Sequence, residues 1–326
     1  MRKLLVRLCC LLVALFGACA DGTGLMPNSG GRPYEVLVVG ADAAAVGMVA
    51  EGLRAQVMEA LPQQEPLFSV SAVVSEGLSQ ATRYARNLVV VTTGDSLLRR
   101  PRISYEQNVY ARRQLVLHVR AANADQLRTS ILYNVRALSR QLVLQELNNG
   151  IQLLREKHNV QAVTMAKDLF GVRLWVPEDL TRWKRGKDFL WISNDAATGM
   201  QNICVYRYQG THLTKEEAVR KRDSVMQCNL PGEDEGCYMT TVAGSVIVDQ
   251  YAGRNRDDKA GILASMKLRG LWEMQGDAMG GPFVSLSTRK GDSVLVVEAF
   301  VYAPEKEKRS LVHRLEASLH TLRIEN

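Results

Sequence analysis

The chain has 326 residues, 46% hydrophobic and 23% charged, which is the balance of a globular protein and excludes a disordered or fibrous one. Its formal net charge is +7 and no long basic run occurs, so composition gives no footing to nucleic-acid binding. The length suits one large domain or two modest ones.

The first stretch sets the location. Arg2, Lys3 and Arg7 make a basic start, and Leu4 to Phe16 is an almost unbroken apolar run, followed by Gly17, Ala18 and Cys19. This is the layout of a bacterial secretory signal, and it is shorter than the roughly 20 apolar residues that span a bilayer. Leu15-Phe16-Gly17-Ala18-Cys19 resembles a lipobox, with cleavage before Cys19 and a diacylglycerol on its thiol; Ala18-Cys19-Ala20 also reads as an A-x-A site of ordinary secretion. A cysteine at the end of the apolar run, followed by the polar Asp21 to Arg32, favours an anchor and a tether. Residues 1–18 are therefore expected to be a lipoprotein signal peptide and residues 19–33 a tether. The expected location is the cell envelope, anchored at the outer membrane and facing the periplasm or the surface. Loss of the three leader cations lowers the charge by three, to +4.

An N-terminal unit, 34–160, comes next. Tyr34 to Val39 is a continuous apolar run that predicts a buried strand, and Gly40-Ala41-Asp42 turns the chain. Asp42 can cap a helix from Ala43 to Leu61, where Pro62 stops it. Strand, glycine turn and helix suggest a dinucleotide site, but the G-x-G-x-x-G pattern is missing and Asp42 would repel phosphate, so no cofactor is expected. Leu67 to Val74, Asn87 to Thr93 and Arg113 to Arg120 read as strands; Arg99 to Arg102 reads as a solvated basic loop. Asn123 opens a long helix to about His158 with a stripe of Leu127, Ile131, Val135, Leu138 and Leu142, and Asn148-Asn149-Gly150 predicts a kink or break in it.

The C-terminal unit, 161–326, reads as strands at Gly171 to Val176, Asp188 to Ser193 and Asn202 to Tyr208, with one or two helical turns from Pro177 to Lys184. Thr214 and Glu217 form a capping box for a helix to about Gln227. Tyr238 to Ala243 and Ser245 to Gln250 follow as strands, then a charged stretch, Tyr251 to Lys259. Leu268 to Gln275, Pro282 to Thr288 and Ser293 to Tyr302 predict an antiparallel meander, and Glu305 to Leu322 an amphipathic helix. The fold class expected is α+β: two mixed or antiparallel sheets, each covered by helices, ending in a three-stranded meander and a helix.

Chemical motifs are sparse. No G-x-S-x-G elbow, H-E-x-x-H helix or P-loop occurs. Ser287-Thr-Arg-Lys290 matches S-x-x-K by letters alone, entering a hairpin turn where that motif needs a helix. His118 falls on a strand face, and His313 and His320 lie two turns apart on one helix, too far for one metal, as surface or boundary residues; no metal site is expected. Cys228 and Cys237 flank an acidic turn and are a possible disulfide, with free thiols the alternative, and Cys204 is left over. Trp175, Trp183, Trp191 and Trp272 could line a glycan cleft or fill the core.

Arg269-Gly-Leu-Trp-Glu273, Met279-Gly-Gly-Pro-Phe-Val-Ser285 and Val297-Glu-Ala-Phe-Val-Tyr-Ala-Pro304, with Pro33 to Val39 and Trp175-Val-Pro177, resemble a domain-of-unknown-function family of Bacteroidetes lipoproteins. The resemblance covers nearly the whole mature chain and implies location and architecture; the family carries no assigned activity. Trp272, Glu273, Met279, Gly280, Gly281 and Pro282 are the candidate binding residues, around a glycine turn that a tight hairpin equally explains. The expectation is a non-enzymatic binding or assembly module whose partners are the membrane, through its lipid, and an envelope protein or glycan. The alternatives are a hydrolase using carboxylates such as Glu273 and Asp277, and a sugar-binding protein.

Overall fold

A computed structural model describes residues 26–232, 234–253 and 264–325. The expected signal peptide with Cys9 and Cys10, the first part of the expected tether with Cys19, and the charged stretch beyond Gly253 lie outside the described residues. The last part of the expected tether is built into the fold: Ser29 N donates to Arg112 O (3.0 Å) and Gly30 N to Tyr84 O (2.8 Å).

The chain is mixed α+β, with five α-helices among the described residues and several sheets. The first sheet has the order β4-β1-β5-β7-β6, from β1 (Glu35–Gly40), β4 (Ser69–Val74), β5 (Asn87–Thr92), β6 (Arg102–Gln107) and β7 (Leu115–Arg120). All its pairs are parallel except β6 with β7. Helices α1 (Ala43–Arg54) and α2 (Ala124–Glu156) cover one face through Val46, Val49, Leu53, Leu127, Ile131, Leu138 and Leu142, packed on Val36, Val38, Val89 and Leu117. Asp42 caps α1 by accepting from Ala44 N at 2.9 Å and Ala45 N at 3.2 Å. A side chain on Gly40 would place a Cβ 2.5 Å from Val91 O, so this glycine serves the close passage of β1 against β5.

Four local expectations are corrected. Helix α1 stops at Arg54, seven residues early, because the chain turns back through Ala60 (φ 58°) into a short ladder, β2 (Val57–Met58) with β3 (Glu65–Pro66). Part of the basic stretch is edge strand: β6 starts at Arg102, with half-buried Ile103 among exposed neighbours, a pattern too thin to read as a strand. Helix α2 runs unbroken through Asn148-Asn149-Gly150. Asn149 is buried and donates through Nδ2 to Arg113 O (3.1 Å), and Gly150 lets a second helix approach, since a Cβ there would stand 2.9 Å from that of Ala317. Pro177 to Lys184 is not a helix; β9 (Arg182–Gly186) begins inside it and pairs with β10 (Phe189–Ser193) across a turn holding Asp188 at φ 53°.

Helix α3 (Val160–Phe170) was not anticipated, although it carries an Asn159 cap on Ala162 N (3.0 Å) and a left-handed Gly171 at its end. Only Val172–Arg173 (β8) of the segment up to Val176 is paired, with β17 (Arg323–Ile324).

The second sheet is antiparallel and curls into a half-barrel. Its order is β12-β14-β15-β16-β11-β10-β9, from β11 (Met200–Gln209), β12 (Tyr238–Thr241), β14 (Ala264–Gln275), β15 (Gly280–Lys290) and β16 (Ser293–Tyr302). Strand β13 (Ile247–Gly253) also pairs with β14. Helix α4 (Lys215–Asn229), capped by Thr214 on Glu217 N (3.2 Å), covers one face through Ala218 and Met226. Beneath it Arg222 Nη2 meets Glu298 Oε1 at 2.8 Å, both buried. The other face takes α3 and α5 (Arg309–Leu319) through Ala162, Met165, Phe170, Val312, Leu315 and Leu319. No helix among the described residues is long and apolar enough to cross a membrane.

Candidate functional site

Helix α5 has two working faces. Val312, Leu315 and Leu319 face the second sheet. Arg309, His313, Glu316 and His320 follow at spacings of four, three and four, one helical stripe, and this stripe turns toward the first sheet unit. The meeting is specific. Glu65, from the β2–β3 ladder, accepts from Lys308 N at 2.8 Å and Arg309 N at 2.9 Å, supplying the N-terminal cap that α5 lacks from its own side chains. Arg309 donates back to Pro66 O and to Ser69 Oγ (3.3 Å).

Tyr34, the residue before β1, is buried and stacks on His313 with ring centroids 4.0 Å apart. Its φ of 64° is a left-handed backbone, a strained state for an aromatic residue that the stack holds in place. His313 Nδ1 lies 3.5 Å from Glu316 Oε2. Glu316 is the hub: Arg269 Nη2 donates to both its oxygens, at 2.6 and 2.7 Å, and Lys267 Nζ donates at 2.9 Å. Asp249 shares the same two cations, at 3.0 Å from Arg269 and 2.9 Å from Lys267.

Charge and burial settle the protonation states. Burial pushes the Glu316 carboxyl up, but Arg269, His313, His320 and Lys267 together hold it well below the usual carboxylate range. Burial drives the His313 imidazole down against the pull of Glu316, so the ring is kept neutral. Burial, with Glu316 and Glu146 nearby, raises the Tyr34 phenol. A carboxylate held so firmly ionised is a poor proton donor near neutral pH. The arrangement joins two units and shapes the space beside them.

Two crevices open there, and Tyr34 lines both. The first, of about 630 Å³, is mainly apolar, with Pro33, Leu153, Leu154, Pro177 and Leu311 in its walls. Ion pairs fringe it: Lys157 with Glu178 at 2.6 Å, Arg314 with Asp179, and the deeper Arg86 with Glu146 at 2.7 Å. The second, of about 880 Å³, is polar and runs between Arg136 and Arg140 of α2 and the Asp249, Lys267, Arg269 and Glu316 network. Among the described residues no group of three or more His, Cys, Asp or Glu side chains is placed to hold a metal ion.

The candidate residues read from the sequence lie elsewhere. Trp272 is buried in the core on the α4 side, its indole Nε1 donating to Val301 O at 3.3 Å. A Cβ on Gly281 would fall 2.0 Å from that same Val301 O and one on Gly280 2.9 Å from Trp272 O, so both glycines serve strand packing. Pro282 sits within β15 opposite Leu271, and Met279 packs against the same core. Glu273 accepts from Gln275 Nε2 (3.0 Å) and Asp277 from Ala278 N (2.6 Å), and none of these residues lines either crevice. The tryptophans do not converge: Trp175 stacks on His158, Trp191 donates to Asn202 Oδ1, and Trp183 is exposed on β9. Cys228 and Cys237 are free thiols, Cys228 exposed at the end of α4 and Cys237 half-buried with its Sγ against Gly276; Cys204 is buried. His313 is a buried residue, correcting its surface reading; its i, i+3 spacing to Glu316 was the available signal.

This geometry defines a mixed α+β protein with crevices beside the Tyr34–His313 contact. Residues 159–321 match the domain of unknown function DUF4837 and residues 29–155 the domain of unknown function DUF8532, the two matches meeting between α2 and α3. The chain belongs to the DUF4837 family. No curated protein matches it. A crystal structure from Bacteroides thetaiotaomicron is similar at 15% identity and a TM-score of 0.26, over 48% of this chain and 46% of that one, so the chain spans under half of that protein's length.

Proposed function

We propose that this protein is a cell-envelope lipoprotein, attached to the outer membrane through Cys19, that works as a binding or assembly module and not as an enzyme. The leader supports the attachment: three cations, an apolar run and a cysteine at its end. The observation that carries the binding role is the apolar crevice of about 630 Å³ at Tyr34. Apolar walls with a few fixed charges at the mouth are the usual form of a recognition site, and this lining favours apolar side chains of an envelope protein over a glycan. The ion pairs Lys157–Glu178 and Arg314–Asp179 link α2 and α5 to the Pro177 segment and keep the mouth in shape.

A photo-crosslinking residue at Leu153 or Leu311, carried by the full chain in its native host, tests this. One discrete adduct is expected from both positions and none from Val160, which is exposed outside the crevice. Adducts equally strong from Val160, or none from the crevice positions, would contradict it.

A further inference from the structure

We propose that the second crevice binds a small anionic amphiphile, an organic acid with a carboxylate or phosphate head and an apolar body. One face of α2 forms a wall of this crevice. Arg136, Arg140, Val143 and Leu147 follow at spacings of four, three and four, so the row runs straight along the helix, for about 16 Å at 1.5 Å per residue. Its first half is basic and its second half apolar. Leu144 and, from outside α2, Val57 and Leu67 add apolar surface to the same lining.

The charges in the crevice are unevenly matched. On the wall formed by β13, β14 and α5, Lys267 and Arg269 meet Asp249 and Glu316, two cations against two carboxylates. Arg136 and Arg140 are exposed on the crevice wall and form no ion pair among the described residues, and neither does Glu59, the third acid in the lining. Even with Glu59 counted, four Arg and Lys side chains line the crevice with three carboxylates.

The groups left over are donors. Arginine has no acceptor to offer. Arg269 Nη1 is buried without a hydrogen-bond partner among the described residues, and so is the hydroxyl of Ser139, which lines the crevice from the turn of α2 that carries the two arginines. The complement of such a lining is an acceptor. Two arginines one helical turn apart repel each other, and a carboxylate or phosphate shared by their forked donors turns that repulsion into attraction. A bare ion would leave the apolar half of the row uncovered, whereas a crevice of about 880 Å³ has the size of a site for a small organic molecule. The inference uses neither the apolar crevice of the proposed partner site nor the Cys19 anchor, and it stands or falls apart from both.

The test uses the full chain carrying Cys19→Ala, titrated calorimetrically with octyl phosphate, octanoate, octanol and inorganic phosphate. Parent and variants carry the same leader, so its contribution cancels between them. The parent is expected to bind at least one of the two acids on the order of tenfold more tightly than octanol or inorganic phosphate, and the tighter acid names the head. R136Q/R140Q should erase the preference over octanol. V57S/L144S, at two exposed positions, should weaken that acid severalfold and leave inorganic phosphate unchanged. R182Q/K184Q/R185Q, on the exposed strand β9, should keep the preference. A parent that binds octanol as tightly as either acid would overturn the proposal, as would a preference that survives in R136Q/R140Q or is lost equally in the β9 variant. Inorganic phosphate bound as tightly as the acids, or acid binding unchanged in V57S/L144S, would also overturn it, since a bare-ion site suffices for that pattern.

Discussion

Tyr34 and His313, 279 positions apart in the chain, lie face to face with ring planes 13° from parallel. The stack joins the strand that opens the first sheet to the helix that covers the second. Burial lowers the His313 pKa, and Arg269 and Arg309 add to this against the opposing pull of Glu316. A histidine kept neutral when folded stabilises the fold above its unfolded pKa of about 6.5, and that stability drains as pH falls below it. The melting temperature should hold above about pH 7 and decline toward pH 5, and His313→Gln should flatten that decline. Thermal melts across this range check it; an unchanged slope in the variant would assign the dependence to other groups. Glu316, held low, adds its own loss only at more acid pH, as it protonates.

Glu65 caps a helix that starts 244 residues later. Glu65→Ala should remove about 1–2 kcal/mol, the range of a lost cap with its charge at a helix N-terminus. Urea denaturation gives the loss, and hydrogen exchange should show it concentrated in the first turn of α5.

Gly150 is the contact point of α2 with α5. Ala is the better helix former by up to ~1 kcal/mol, yet Gly150→Ala should destabilise by about 1–3 kcal/mol, because its methyl meets Ala317 and cores resist overpacking. The double variant Gly150→Ala with Ala317→Gly should recover much of the loss. A stabilised single variant would show that the helices part freely.

Glu316→Gln leaves Arg269 and Lys267 with Asp249 as their remaining carboxylate partner among the described residues. Breaking a buried pair on one side costs about 3–5 kcal/mol, so the variant should fold weakly or not at all. Replacing Arg269 with Met in the same chain should restore part of the stability, as measured by denaturant midpoint.

What could be read from the letters was local. Asp42 and Thr214 announced their helices because a cap acts within three residues, and the buried stripe of α2 follows helical period. The asparagines and glycine at 148–150 misled, since their signal for a break competes with packing that only α5 supplies. Trp272, Gly280 and Gly281 looked like a ligand turn because glycines that admit a ligand and glycines that admit a carbonyl, here Val301 O, look alike in sequence. The crevices were invisible for a different reason. They form where Tyr34 and Glu65 meet a helix more than 240 positions on, and no periodicity reports that meeting. The row Arg309, His313, Glu316 and His320 carried a signal that reading the two histidines as surface or boundary residues passed over: ionisable groups at helical spacing on a helix whose other side is apolar.

The most direct test of the central claim concerns the anchor. The wild-type chain and Cys19→Ala would be expressed in the native host, labelled with an alkynyl palmitate and separated into membrane and soluble fractions. The account predicts label and membrane retention in the wild type and the loss of both in the variant. A wild-type chain that is unlabelled and soluble would contradict it and move the search for partners to the free periplasm.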